Sequence, residues 1–240
     1  MLLKKYRSWK KDFESKKHYC TMAREPFYDI AAKYLPSAEN AMIVDVGAGN
    51  GSFARHLDLA RTYDNLFLLD GNKDTAEKLK GEFKNAAFYE APDRLPFEDA
   101  TVNYMHSSHM VEHLFPKELY GFIKEVDRVL SKDGIFVVST PLFSEAFYGD
   151  LSHVKPYNPS VFDGYLSGKH NNRSSAMISE RYEILELAYR YAVLNGNVSQ
   201  GWGSVFPPID LVIQVLKKIL LKLGFRKYKR NGYTLVLKKT

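Results

Sequence analysis

The chain predicts an α/β fold, a doubly wound and mostly parallel sheet with helices on both faces, and two observations carry that reading. From residue 41 apolar strands alternate with helical stretches, and such alternation builds parallel sheets through right-handed crossovers. The first strand, Ile43-Val44-Asp45-Val46, runs straight into Gly47-Ala48-Gly49-Asn50-Gly51 and then a helix from Ser52. Glycine permits positive φ and removes side chains that would hold a ligand off the backbone, while the helix start aims free N–H groups at the same place. A turn of this kind at the end of a buried strand suits a nucleotide-like ligand.

Taken in order, residues 1 to 20 are basic and partly amphipathic, and Pro26 to Leu35 reads as a helix begun at a proline and stopped before Pro36. Residues 1–40 therefore form a helical cap segment ahead of a single domain over 41–240. Strands are expected at 42–46, 66–70, near 86–89, at 102–106 and 135–139, with helices from 52, over 74–83 and over 117–130. The segment Pro141 to Ser179 mixes glycine, proline, serine and aromatics with no sustained period. Long insertions of this kind are usually functional loops or disordered, and the aromatic content argues against disorder. Strand returns at Tyr182 to Tyr189, a helix follows from about Pro208 to Leu223, and Tyr233 to Leu237 closes the chain as strand. That helix sets Ile209, Val212, Ile213, Leu216, Ile219, Leu220 and Leu223 on one broad face, which packing on the sheet would explain. Leu211, Val215 and Leu221 lie on its more polar side, so weak contact with lipid or a partner stays open as an alternative.

With 240 residues, 45% hydrophobic and 14% aromatic, the chain can bury a full core, and its length suits one elaborated domain. A single cysteine, Cys20, offers no internal disulfide, which points to a reducing compartment. The first residues turn to charge too early for a signal peptide, and no apolar run approaches the roughly 20 residues of a membrane span. A soluble, cytoplasmic protein is expected. The net charge of +6 is uneven: residues 1–24 carry +6, residues 217–240 carry +9, and the middle is acidic. Two solvated faces account for the basic ends; an electrostatic patch for an anionic partner is the alternative. Nothing resembles an RNA-binding module or a zinc-finger spacing, so nucleic acid is not expected as a partner.

The glycine spacing, Gly47-x-Gly49-x-Gly51 with Asp45 two residues ahead, is one residue shorter than the dinucleotide pattern. It resembles the first motif of class I S-adenosylmethionine (SAM)-dependent methyltransferases. The likeness continues through Leu66-Phe67-Leu68-Leu69-Asp70, Leu95-Pro96-Phe97-Glu98-Asp99, Ser107-Ser108-His109-Met110-Val111-Glu112-His113-Leu114, and Glu125 to Pro141. It covers roughly residues 41 to 141 and is closest to the type 11/23-like group. The resemblance implies a seven-stranded Rossmann-like sheet with an antiparallel edge strand, SAM as cofactor, and an acceptor-loop insertion at about 141–179.

By the same resemblance, Gly47 and Gly49 approach the cofactor, Asp45 lies near its methionine moiety, and Asp70 accepts the ribose hydroxyls. Gly71 and Asn72 sit beside ribose or adenine, and Ser108 belongs to the same site. Two departures touch this region. Ala91 and Pro92 stand where an acid and a backbone donor for adenine are usual, so Asp93 is assigned as the replacement acid; Asn103 stands where an aspartate is usual.

His109 is a candidate base for the acceptor proton. His153 lies in Asp150-Leu151-Ser152-His153-Val154-Lys155-Pro156-Tyr157-Asn158-Pro159, which resembles a segment bordering the acceptor pocket; it is read as a base, an acceptor ligand or a brace for the loop. His109-Met110-Val111-Glu112-His113 also equals H-x-x-E-H, the inverted zinc-protease motif. That motif belongs in a long helix and needs a third ligand later in the chain, whereas here it follows a strand. Glu112 and His113 are read instead as bracing residues, and no metal is expected. The function read from the sequence is SAM-dependent methylation, with oxygen of a hydroxylated small molecule, sugar or glycan as acceptor. A catalytically impaired SAM-binding scaffold is the competing reading, and a zinc hydrolase the third.

Overall fold

The computed structural model describes residues 2–144, 146–168, 175–193, 207–222 and 228–240. Its seven strands are β1 Met42–Val46, β2 Asn65–Asp70, β3 Ala86–Phe88, β4 Val102–Ser108, β5 Leu130–Pro141, β6 Tyr182–Val193 and β7 Tyr228–Lys239. The helices are α1 Leu2–His18, α2 Glu25–Ala32, α3 Ser52–His56, α4 Leu59–Thr62, α5 Lys73–Lys80, α6 Pro116–Val129, α7 Pro159–Leu166 and α8 Pro207–Lys222.

The strand order is β3-β2-β1-β4-β5-β7-β6. β1 pairs in parallel with β2 and β4, β4 with β5, and β2 with β3, while β7 runs antiparallel to β5. The order reverses between β1 and β4. In such sheets ligands lie outside the carboxyl ends of the strands at that point, which is where the glycine turn and the H-x-x-E-H segment both emerge.

Core residues come from both faces of the sheet. Ile43, Leu68, Tyr104, Met105, Phe136 and Leu235 are all fully buried. α6 buries Leu119, Phe122, Ile123, Val126 and Val129 on one stripe, a spacing that keeps the apolar face on the sheet. Glu118 caps its start by accepting the Phe115 N–H at 2.7 Å.

By internal contacts the chain falls into two compact units, one of residues 1–22 with 189–231 and a larger one of residues 23–188 with 232–240. α2 belongs to the larger unit. There Tyr28 meets the Phe53 ring edge-on at 5.5 Å, and the Tyr104 hydroxyl donates to the Ala31 carbonyl at 2.8 Å.

Several elements differ from expectation. The helix from Ser52 breaks at Asp58, which takes φ 50°, into two short pieces. The segment read as irregular contains α7, and Phe147, Tyr157, Phe162 and Leu166 within it are buried. α8 does not bury the face assigned to the sheet: Ile209, Val212, Leu216 and Ile219 are each about half exposed. That helix belongs to the smaller unit. Leu223 lies outside the described residues. No helix among the described residues is long and apolar enough to cross a membrane.

Candidate functional site

β1 delivers the glycine turn. Gly47, Gly49 and Gly51 adopt φ of 74°, 56° and 78°, the left-handed region in which a side chain is strained. Gly47 donates its N–H to the Leu69 carbonyl at 2.8 Å, tying the turn to β2, and a Cβ there would stand 2.7 Å from the Met110 Cβ. Gly49 differs in kind. Nothing lies within 4 Å of where its Cβ would be, so its bare backbone faces open space.

Asp70 ends β2 beside that space. One carboxylate oxygen accepts the Gly49 N–H at 2.8 Å and the other the Asn72 N–H at 2.9 Å. Asn72 in turn caps α5, accepting from Thr75 N at 3.0 Å. Gly71 sits exposed between them. The Ser107 hydroxyl, next to Val46 in register, is buried without a hydrogen-bond partner, and Ser108 follows it half-buried at the strand end. A bare glycine backbone over open space, a carboxylate at its rim and an orphaned buried hydroxyl fit a ligand with an amino acid and a ribose. Gly49 and Asp70 are placed to meet such a ligand, with Ser107 beside them.

Asp45 is engaged elsewhere. It is 2% exposed and sits 2.7 Å from Nδ1 of His106, whose ring stacks on Phe53 at 3.7 Å. The structure gives it the role of bracing the floor beneath the turn. His106 escaped the sequence reading, although Asp45 and His106 are direct register partners on β1 and β4. Two polar residues in strands otherwise buried on both faces were the available signal.

At the adenine end, Asp93 is exposed. Its N–H donates to Glu90 and its carbonyl accepts the Tyr89 hydroxyl, both at 2.9 Å. Pro92 packs toward Gly121 of α6. Asn103 lies at the opposite end of β4, where it accepts Met42 N at 2.9 Å and donates to Ser131 Oγ at 3.3 Å. Its departure from aspartate therefore leaves the glycine turn untouched. A cavity of about 420 Å³ also opens at that far end, lined by Asn40, Asn103 and Asp133 among others, remote from the chemistry.

The H-x-x-E-H segment is a 3₁₀ turn over Val111–His113, not a long helix. His109 takes φ 55° just after β4 and anchors its N–H on the Ser139 carbonyl at 2.8 Å. Its Nδ1 stands 3.0 Å from Oε1 of Glu112, whose other oxygen accepts from Thr140 Oγ1 at 3.0 Å. Burial pushes the Glu112 carboxyl up, but His109, the backbone and Thr140 together hold it below the ordinary carboxylate range. His153 is braced: Nδ1 lies 2.7 Å from the Phe147 carbonyl, and Asp150 closes the adjoining turn by accepting from Ser152. The fold also brings Glu112, His113 and His153 together.

Residues 44–138 match the family model described as a methyltransferase domain. The match runs from β1 to β5, so over those residues the chain is similar to a methyltransferase domain. Among curated proteins it is similar to an uncharacterized chloroplastic methyltransferase of Arabidopsis thaliana, 28% identical over 123 residues. It is also similar to the Bacillus subtilis protein YrhH, which bears a methyltransferase name, 28% identical over 106 residues. These matches take in 47% and 42% of the chain but only 34% and 58% of the relatives' own length. In fold it is similar to a SAM-dependent methyltransferase of Archaeoglobus fulgidus at TM-score 0.62 and 20% identity, covering 90% of this chain and 95% of that one.

Proposed function

We propose that this methyltransferase domain methylates an oxygen nucleophile on a hydroxylated small molecule, sugar or glycan. The observation that supports this most is His109, held at the same end of the sheet as the glycine turn, with Nδ1 on the buried Glu112 carboxylate. Met110, its neighbour, packs against Gly47.

When bound, SAM supplies a sulfonium methyl whose sulfur leaves as a neutral thioether. Gly49 lets the backbone come close, and Asp70 offers a carboxylate for the ribose hydroxyls. Glu112 Oε1, 3.0 Å from Nδ1 of His109, favours the proton on that nitrogen and leaves Nε2 as the basic one. That nitrogen takes the acceptor's proton as the new O–CH₃ bond forms and the S–CH₃ bond breaks, its electron pair going to sulfur. The products are the methyl ether, S-adenosylhomocysteine and a proton released from His109. Much of the rate would come from holding acceptor and methyl in line.

The test is transfer of label from radiolabelled SAM to acceptor pools, wild type against His109→Ala. Label in sugars or lipid-linked glycans, reduced about 10²-fold in the variant with SAM affinity intact, is the expected result. Label in protein or nucleic acid would refute the acceptor class. Loss of cofactor binding in the variant would reassign His109 to structure.

A further inference from the structure

We propose that Glu112, His113 and His153 form a binding site for a divalent transition-metal ion such as zinc. The motif arrives in two pieces, Glu112-His113 on the turn after β4 and His153 some forty residues later, and the fold closes them into one cluster. One ligand atom from each lies within 4.8 Å of the others.

The tautomers favour a cation. Nδ1 of His113 lies 3.0 Å from the Ser152 carbonyl, and Nδ1 of His153 lies 2.7 Å from the Phe147 carbonyl. A carbonyl only accepts, so each Nδ1 carries the proton and a neutral ring offers its lone pair at Nε2. Metal-bound histidines commonly make this outer hydrogen bond, which fixes ring orientation and tautomer.

The support is built rather than incidental. Glu112 is fully buried, and its carbonyl accepts from Val154 and Lys155 at 2.8 and 3.2 Å, strapping the His153 loop onto the turn. The two imidazoles lie 5.0 Å apart. Two lone pairs and a buried carboxylate thus share one small region, a grouping that a cation relieves. Asp150, 4.0 Å from Nε2 of His153, is the neighbouring anion; a protonated His153 paired with it is the rival arrangement.

Two imidazole nitrogens and one carboxylate oxygen suit zinc, cobalt, nickel or iron better than magnesium or calcium, which prefer oxygen throughout. Three protein ligands leave a position open for an exogenous oxygen. If the methyl-transfer reading above holds, an acceptor hydroxyl in that position would lose its proton more readily, as metal-bound water does. Binding of the ion itself does not depend on that reading.

The experiment uses the untagged full chain, stripped with chelator, then titrated with Zn²⁺ by calorimetry and with Co²⁺ by visible absorption. One equivalent should bind, with d–d bands of a nitrogen and oxygen site, and His113→Gln and His153→Gln should each weaken binding by about 100-fold. Circular dichroism and S-adenosylhomocysteine affinity serve as controls for folding. Less than a tenth of an equivalent in the wild type overturns the proposal, even if both variants fail to fold. So does binding that well-folded variants leave unchanged. Normal S-adenosylhomocysteine binding without metal would sink the metal site alone, whereas metal binding without cofactor affinity would sink the methyl-transfer reading alone.

Discussion

Gly47 and Gly49 share a backbone conformation and differ in surroundings, so the same substitution should fail in two ways. Alanine at 47 meets the Met110 side chain at 2.7 Å in addition to φ strain; alanine at 49 meets only the strain, costing about 1–2 kcal/mol. Gly49→Ala should therefore fold and lose SAM affinity, because its methyl enters the open space, while Gly47→Ala should lose several degrees more in thermal unfolding. Equal melting temperatures with equal affinities would show that the open space is not the cofactor site. Asp70→Ala should weaken SAM binding by roughly 1–3 kcal/mol in calorimetry, since it removes a charged acceptor that also orders Gly49 and Asn72. Unchanged affinity would leave Asp70 as a turn brace. The glycine turn and the carboxylate that ends β2 were legible as local structure because positive φ calls for glycine at a fixed spacing. The pairing of Asp45 with His106 was not legible, since His106 comes from a strand some sixty residues on.

The LPF-x-D turn is held by α6. Arg128 donates to both oxygens of Glu125, to the carbonyls of Leu95 and Phe97, and to Asp99, while Glu125 accepts the Leu95 N–H at 2.9 Å. The Arg128 guanidinium, foremost among several groups, draws the Glu125 carboxyl below its ordinary value of 4.5. A depressed folded pKa contributes stability that is complete above that value and is lost as pH falls through the folded one. Arg128→Met should thus cost about 2–3 kcal/mol in urea unfolding at neutral pH, and the gap to wild type should narrow in acid below pH 4.5. A gap of the same size at both pH values would assign the effect to the Leu95 and Phe97 carbonyls, which do not titrate. Sequence pattern placed most strands and α6 because burial imposes their period. It missed the early start of β5 because Lys132-Asp133-Gly134 reads as a turn; Asp133 does take φ 63°, and the register shifts there within a continuing strand. α7 was hidden by its length of eight residues, too few for a period to emerge.

For the whole chain, the two units make different demands on the amino-terminal forty residues. Every residue assigned to the cofactor or to the H-x-x-E-H cluster belongs to the larger unit, and so does α2, whereas α1 belongs to the smaller one. The sequence pattern groups residues 1–40 as one cap because both helices precede the first strand. The structure separates them by burial: Phe27, Tyr28, Ile30 and Ala31 are 7%, 5%, 1% and 0% exposed, while the described side chains of α1 are almost all exposed. Burying each of the three large residues of α2 is worth roughly 1.5–3 kcal/mol, and a domain's net stability is only about 5–15 kcal/mol. Removing residues 1–22 should accordingly leave S-adenosylhomocysteine affinity within about threefold of wild type, an effect under 1 kcal/mol. Removing residues 1–40 should abolish the cooperative melt followed by circular dichroism. A 1–40 deletion that still melts cooperatively and binds the product would make α2 a detachable cap, and the contacts of Tyr28 with Phe53 and of Tyr104 with Ala31 would then carry little of the stability assigned to them.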